Sequence, residues 1–316
     1  MKKTATRGAD VTHNHSNGSS HAHAVGNYGR AFAIGIALNT AFVAGEAFYG
    51  FSSNSLALLS DAGHNLSDVM GLVLAWGAIR LSRSRPTKRR TYGLRRSSIL
   101  AALANAATLL FVTGAITVEA IRRFSHPTPV VGSTIMWVAA VGVLINGTTA
   151  AMFASGRKSD INVRGAFAHM AADALIALGV VVTGFMIRRT GSLWLDPATS
   201  IAISVIIALG TWGLLKESVN LAMDAVPENI DPDAVETFLR SLAGVTDVHD
   251  LHIWAMSTTE PCLTAHLTVP GGTWDDSILA STKAALHERF GIEHSTVQIE
   301  RGDSVHPCEQ SSESAV

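Results

Sequence analysis

Six long apolar stretches, at positions 31–51, 56–81, 99–121, 130–154, 165–187 and 192–215, constrain this chain more than any other feature. A helix crossing a bilayer needs about 20 predominantly apolar residues, because the hydrocarbon core is roughly 30 Å thick and each residue rises about 1.5 Å. All six meet that length. Only 16% of the residues are charged, so much of the surface has to face lipid rather than water. The expectation is an all-α six-helix transmembrane domain in contact with membrane lipids. With 24 Lys+Arg against 25 Asp+Glu, the formal net charge of -1 leaves no basic excess for a nucleic-acid partner. Two cysteines, Cys262 and Cys308, are too few for a disulfide framework or a four-thiolate zinc site. No early apolar run marks a cleaved secretory signal.

The short connecting segments set the orientation. With the N-terminus in the cytoplasm, the inner segments carry fifteen Lys and Arg and the outer loops four. That asymmetry places both termini inside by the positive-inside rule. From about residue 226 the texture changes. Asp231-Pro232 reads as an N-cap followed by proline at the first helical position, with Gly244 past the helix end. Residues 245–256 and 262–269 read as strands joined by a turn at 257–261. The second alternates Leu263, Ala265, Leu267 and Val269 against Cys262, Thr264, His266 and Thr268. A helix over 277–290, stopped by Gly291, and a strand over 295–299 complete an α-β-β-α-β order. Such an order predicts a small α+β domain with both helices on one face of the sheet. The resulting division is a polar, His-rich, disordered tail at 1–27, the membrane domain at 28–220, the small cytoplasmic domain at 221–301, and a polar disordered tail at 302–316.

Ionisable residues inside the apolar stretches carry the chemistry. The second stretch holds His64 and Asp68, the fifth His169 and Asp173. Each pair is His-x-x-x-Asp, a spacing that puts imidazole and carboxylate on one helix face, one turn apart. A charged Asp at the centre of a membrane helix costs about 2.5–3.5 kcal/mol on insertion scales, so both pairs need compensation. Counted from the span ends, His64 and Asp68 lie about 13.5 and 19.5 Å from the outer edge, and His169 and Asp173 about 24 and 18 Å. The two pairs therefore overlap near the midplane, where a shared divalent cation is the simplest compensation. Two imidazoles and two carboxylates form the four-ligand tetrahedral set that Zn²⁺ favours, whereas carboxylates alone suit Mn²⁺ or Mg²⁺. The competing reading, a local hydrogen bond within each helix, does not account for the matched spacing and depth. Asp61 reads as a group supporting the site or relaying protons. Asn39, Asn105 and Asn146 read as interhelical hydrogen-bonding residues, and Glu46 and Glu119 as residues near span ends that reach the interface.

The run Ser55-Leu-Ala-Leu-Leu-Ser-Asp61-Ala-Gly-His64-Asn-Leu-Ser-Asp68, followed by Tyr92-Gly93, His169-x-x-x-Asp173 and His249-Asp-Leu-His252-Ile-Trp254, resembles the cation diffusion facilitator family over about residues 30 to 301. The resemblance implies a homodimeric Zn²⁺/H⁺ antiporter that exports zinc from the cytoplasm by alternating access, with Cd²⁺ and Co²⁺ as further ions. It implies six transmembrane helices, a cytoplasmic ferredoxin-like domain through which the dimer forms, and His64, Asp68, His169 and Asp173 as the transport site. Histidine at both first positions resembles the zinc branch rather than the manganese branch. Some members carry a second metal site between spans two and three. Residues 82–98 are mostly Arg, Lys and small residues with Tyr92 and hold no Asp, Glu, His or Cys, so that site is expected to be missing and the basic loop to meet lipid headgroups or acidic groups of the cytoplasmic domain.

By similarity to zinc-type members, His249, His266, His294 and Glu300 are candidate cytoplasmic ligands for a regulatory Zn²⁺, with Cys308 as an added candidate. His252, facing away along the strand, and His287 are left out. The tract His13, His15, His21 and His23 reads as loose metal capture or a plain solvated tail. The expected setting is the inner (plasma) membrane of a prokaryote. Two rival classes are a membrane zinc hydrolase and a membrane zinc sensor without transport. A hydrolase needs an open coordination position and a general base. Four protein ligands leave no such position, and no His-Glu-x-x-His or Gly-x-Ser-x-Gly motif occurs.

Overall fold

The computed structural model describes residues 28–82, 84–154, 161–271, 275–302 and 308. The N-terminal histidine tract, and the C-terminal tail apart from Gly302 and Cys308, lie outside the described residues. Six long helices come first: α1 (Tyr28–Ser52), α2 (Leu56–Ser82), α3 (Ser97–Ser125), α4 (Gly132–Phe153), α5 (Ile161–Thr190) and α6 (Leu195–Ala222). Among the described residues α3, α4, Phe167–Thr190 of α5, and α6 are long and apolar enough to cross a membrane. The lower apolarity of α2 follows from Asp61, His64, Asp68 and Arg80 within it. Most of the helices run past their apolar stretches, because polar end residues continue the backbone hydrogen-bond ladder into the interface. Large apolar side chains such as Phe111, Trp137, Leu209 and Trp212 point outward, a belt that hydrocarbon solvates and water would not.

Two local devices set the helix positions around α2. Ser55, after the left-handed Asn54 (φ 52°), caps α2, its hydroxyl accepting from Leu58 N–H at 3.2 Å. Asp196 at the start of α6 then accepts from Ser55 Oγ at 2.5 Å, Leu56 N–H at 2.8 Å and Ala57 N–H at 3.3 Å. Its negative charge thus meets the positive end of the α2 dipole. The Ser60 and Ser200 hydroxyls, 2.7 Å apart, continue the α2–α6 contact. On the other side, α4 and α5 approach at Gly132 and Gly184. A Cβ at Gly184 would lie 2.6 Å from Met136 N, so only glycine permits this packing.

The C-terminal part is α7 (Pro232–Arg240), β1 (Asp247–Ser257), β2 (Glu260–Thr268), α8 (Asp276–Phe290) and β3 (His294–Glu300), the order expected. β1 pairs antiparallel with β2, and β2 parallel with β3, in the order β1-β2-β3. Asp231 caps α7, accepting from Asp233 N–H at 3.0 Å, and Gly291 ends α8 in the left-handed region (φ 70°). Leu263, Ala265, Leu267 and Val269 of the β2 register pack with Val235 and Leu239 of α7 and Leu286 of α8, so both helices cover one face. The opposite face is not solvated as strict alternation suggests. Cys262 and His266 are buried there. Towards the end of β1, Ala255 packs with Ile99 of α3 and Leu221 of α6. Burial pushes the Cys262 thiol pKa up.

The basic loop between α2 and α3 meets acidic groups of the small domain. Arg95 Nη1 lies 2.6 Å from Glu260 Oε1, Arg96 pairs with Asp224 just past α6, and Thr258 N–H donates to Ser98 Oγ at 3.1 Å.

Candidate metal centre

α2 and α5 bring the two His-x-x-x-Asp pairs face to face. His64 Nε2 stands 3.4 Å from Asp173 Oδ1 and 3.9 Å from Asp68 Oδ2, and His169 Nε2 stands 3.2 Å from Asp68 Oδ2 and 3.6 Å from Asp173 Oδ2. Nitrogen and oxygen donors alternate around a closed ring. Tetrahedral zinc, with bonds of about 2.0–2.2 Å, sets its donors roughly 3.3–3.5 Å apart; His64, Asp68 and His169 each offer a donor within 4.8 Å of the others, and Asp173 has to close in on them to complete a tetrahedron. The imidazoles are edge to face, with centroids 6.0 Å apart. Asp173 is 2% exposed and neither of its oxygens has a hydrogen-bond donor. His169 is 44% exposed and Asp68 31%, so the centre opens on their side. The same ring accommodates protons on the imidazoles as ion pairs, so metal and protons compete for one set of atoms.

One expectation inside the bundle needs correction. Glu46 does not reach the interface: it is wholly buried, and Asn65 Nδ2 of α2 donates to its Oε2 at 3.3 Å. The geometry of α1 against α2 turns it inward, which position along the chain does not reveal. Glu119 does reach the surface, between Arg122 and Arg123. Asn105 behaves as expected, accepting from Ser67 Oγ at 3.4 Å across α2 and α3, while Asn146 is buried. Asn39 lies outside the residues whose side chains are described.

A second cluster lies in the small domain. Ligand atoms of His249, His266, Glu300 and Cys308 lie within 4.8 Å of one another. His249 Nε2 is 3.3 Å from Glu300 Oε2, His266 Nδ1 is 3.0 Å from Glu300 Oε1, and Cys308 Sγ is 3.5 Å from His266 Nδ1. The β1/β2 register makes His249 and His266 direct partners, and the parallel β2/β3 register sets Glu300 beside Thr268. Burial raises the Glu300 carboxyl, but hydrogen bonds with Cys308 and Gln298 and the two imidazoles outweigh it and leave its pKa below the ordinary value. His294 does not join this cluster. It starts β3 opposite Cys262, and its ring packs against Tyr92 at 6.1 Å. Glu300 lies six positions further along the strand, about 20 Å away.

Sequence reasoning missed two carboxylates that hold the far side of each imidazole. Asp247 Oδ2 lies 3.3 Å from His249 Nδ1, and Asp250 Oδ2 lies 3.4 Å from His266 Nε2. Asp250 reaches in because β1 is irregular between His249 and His252 and its own φ is 49°, a left-handed conformation that Asp tolerates. The run Asp247-x-His249-Asp250 was the available signal. Asp250 also holds His252 Nε2 at 2.9 Å, outside the cluster.

A mixed nitrogen and oxygen donor set between two membrane helices fits a protein that handles metal ions, and similarity to known proteins gives the family. Residues 32–221 match the family model of the cation efflux transmembrane domain, and residues 227–302 that of the cation efflux protein cytoplasmic domain. The chain is 38% identical over 295 residues to the metal cation efflux system protein CzcD of Cupriavidus metallidurans, covering 93% of this chain and 92% of the other. It is 36% identical over 293 residues to the zinc transporter ZitB of Escherichia coli (92% and 93% covered). It is 33% identical over 293 residues to the cadmium, cobalt and zinc/H(+)-K(+) antiporter of Bacillus subtilis (91% of each). The chain belongs to the cation diffusion facilitator family. It is an integral membrane cation efflux transporter and not an enzyme, which removes the hydrolase and the sensor without transport.

Proposed function

We propose that this transporter exports Zn²⁺ from the cytoplasm in exchange for protons, with Cd²⁺ and Co²⁺ accepted by the same ligands. The observation that carries the reading is the closed ring of His64, Asp68, His169 and Asp173, with separations of 3.2 to 3.9 Å. Neutral imidazoles and carboxylates take up a dication and give up protons, because both need the same lone pairs. An imidazole ordinarily titrates near pH ~6.5, which puts the exchange within physiological range. The bundle then rocks to expose the centre outward, protons displace the metal, and the protonated ring returns. The names of the zinc and cadmium, cobalt and zinc relatives support the choice of ions, and the antiporter's name supports proton exchange.

In this reading all six long helices span the bilayer, 28–220 is the transport domain, and 221–301 is a ferredoxin-like cytoplasmic domain. The tails 1–27 and 302–316 also lie in the cytoplasm. Two copies associate through the small domain, and His249, His266, Glu300 and Cys308 bind a regulatory Zn²⁺ that stabilises it. The deciding experiment uses the full chain in proteoliposomes with zinc-sensitive and pH-sensitive dyes. Zinc flux coupled to opposite proton flux, selective for Zn²⁺, Cd²⁺ and Co²⁺ over Mn²⁺, supports the reading, and uncoupled or manganese-selective flux contradicts it.

A further inference from the structure

Beside the quartet, the membrane domain buries another pair of ionisable groups that the exchange above does not use. Glu46 of α1 is 0% exposed and Asp61 of α2 is 1% exposed. Their side chains face each other within hydrogen-bonding range. As ionised carboxylates both are acceptors only, and Glu46 Oε1, Asp61 Oδ1 and Asp61 Oδ2 all lack a donor. The sole side-chain donor that reaches the pair is Asn65 Nδ2, 3.3 Å from Glu46 Oε2, among the described residues. Among the described residues, no Lys or Arg forms an ion pair with either carboxylate. α4, which packs on α1, has no ionisable residue, and α3 offers only Glu119, Arg122 and Arg123 near its outer end. On α6, Asp196 is committed to the α2 cap, and Lys216 and Glu217 lie towards the far end. α5 brings His169 and Asp173, and α2 itself brings His64 and Asp68. Two like charges in contact in a low dielectric do not both persist, and a contact between two acceptors becomes a hydrogen bond only with a proton in it.

We propose that Glu46 and Asp61 share one proton and form a proton-carrying site separate from the metal ligands, emptied when metal fills the quartet and refilled when metal leaves. The proposal rests on reading the quartet as the transport site. Asp61 precedes His64 by one turn of α2, about 4.5 Å along the axis, and feels the charges of both His64 and Asp173. Once the imidazoles of the ring have given up their protons and before metal enters, Asp173 repels a second negative charge on Asp61 and so favours the shared proton. A bound dication reverses that field. The carboxyl O–H bond then breaks, the proton passes to water, and both groups remain as carboxylates beside the metal. Metal release restores the O–H bond with a proton taken from water.

The test counts protons. The full chain in lipid nanodiscs, with His249→Ala and His266→Ala to silence the cytoplasmic cluster, is titrated with zinc at pH 7 in weakly buffered solution with a pH indicator. The Glu46→Gln/Asp61→Asn protein, which keeps the hydrogen bond without the titration, is expected to release about one proton fewer per zinc bound. Its zinc affinity should fall by less than about tenfold. Glu46→Asp, which retains a carboxyl, is expected to restore the full count. If the double amide does not fold, Asp61→Asn alone is expected to show the same loss. An unchanged proton count overturns the proposal. So does a wild-type count that changes when choline replaces sodium and potassium, because a monovalent cation would then occupy the pair. Asp173→Ala, titrated in parallel, separates the two layers. If it still binds zinc at the same stoichiometry, the quartet reading fails; if it loses zinc and the amide count is unchanged, only the pair fails.

Discussion

The two candidate metal clusters use nearly the same donors and differ in how those donors are held. In the membrane, His64 and His169 present Nε2 to two carboxylates, and the other nitrogen of His64 is buried with no partner. In the small domain, the far nitrogens of His249 and His266 are held by Asp247 and Asp250, and both imidazoles stand on paired strands. A carboxylate behind an imidazole fixes its tautomer and raises its basicity. In the proposed reading, a carboxylate behind each cytoplasmic imidazole fits an ion that stays, and the lack of one behind His64 fits an ion that leaves each cycle.

Variants can break this comparison, and the largest effect is expected at the membrane ring. His64→Ala should lower zinc flux by about a hundredfold or more, since one of four ligands is lost, while zinc binding to the cytoplasmic cluster is unchanged by equilibrium dialysis. His266→Ala should invert the pattern, weakening cytoplasmic zinc binding by about tenfold to a hundredfold while zinc binding to the membrane ring is unchanged. Asp250→Asn keeps a residue that tolerates the left-handed backbone but removes the charge behind His266. Calorimetry should show cytoplasmic affinity reduced by about tenfold, the lower range for losing such a partner.

Smaller effects sharpen the picture. Asp231→Ala removes the α7 cap and should cost about 1 kcal/mol of small-domain stability, read from denaturant unfolding. The smallest expected effect is acid sensitivity. The Glu300 carboxyl has a lowered pKa in the fold, so its stabilising contribution is fully present above its unfolded pKa and is lost as pH falls through the folded value. Thermal unfolding followed below about pH 4.5 should therefore show a shallower decline in Glu300→Gln than in the wild type.

Much of this was legible in the sequence because the signals are local. Apolar length marks the long helices, i, i+4 spacing pairs each His with its Asp, and Asp231-Pro232 and Gly291 mark helix ends. What stayed hidden depends on register and packing between elements. His249 meeting His266 requires the antiparallel pairing of β1 with β2, and the placement of Glu300 but not His294 follows from β3 running parallel to β2. Asp250 becomes a partner of His266 only through the irregularity in β1. Glu46 turns inward because of how α1 sits on α2, and Asp196 caps a helix 140 residues away in sequence. Neither periodicity nor composition carries such contacts.

The most direct test of the central claim is zinc and proton flux in the same vesicles, comparing wild type with Asp173→Ala. The expected result is zinc accumulation in acid-loaded vesicles with matching proton loss, and neither flux in the variant, whose folding is verified by intact cytoplasmic zinc binding. Zinc accumulation by Asp173→Ala at the wild-type rate would contradict the account.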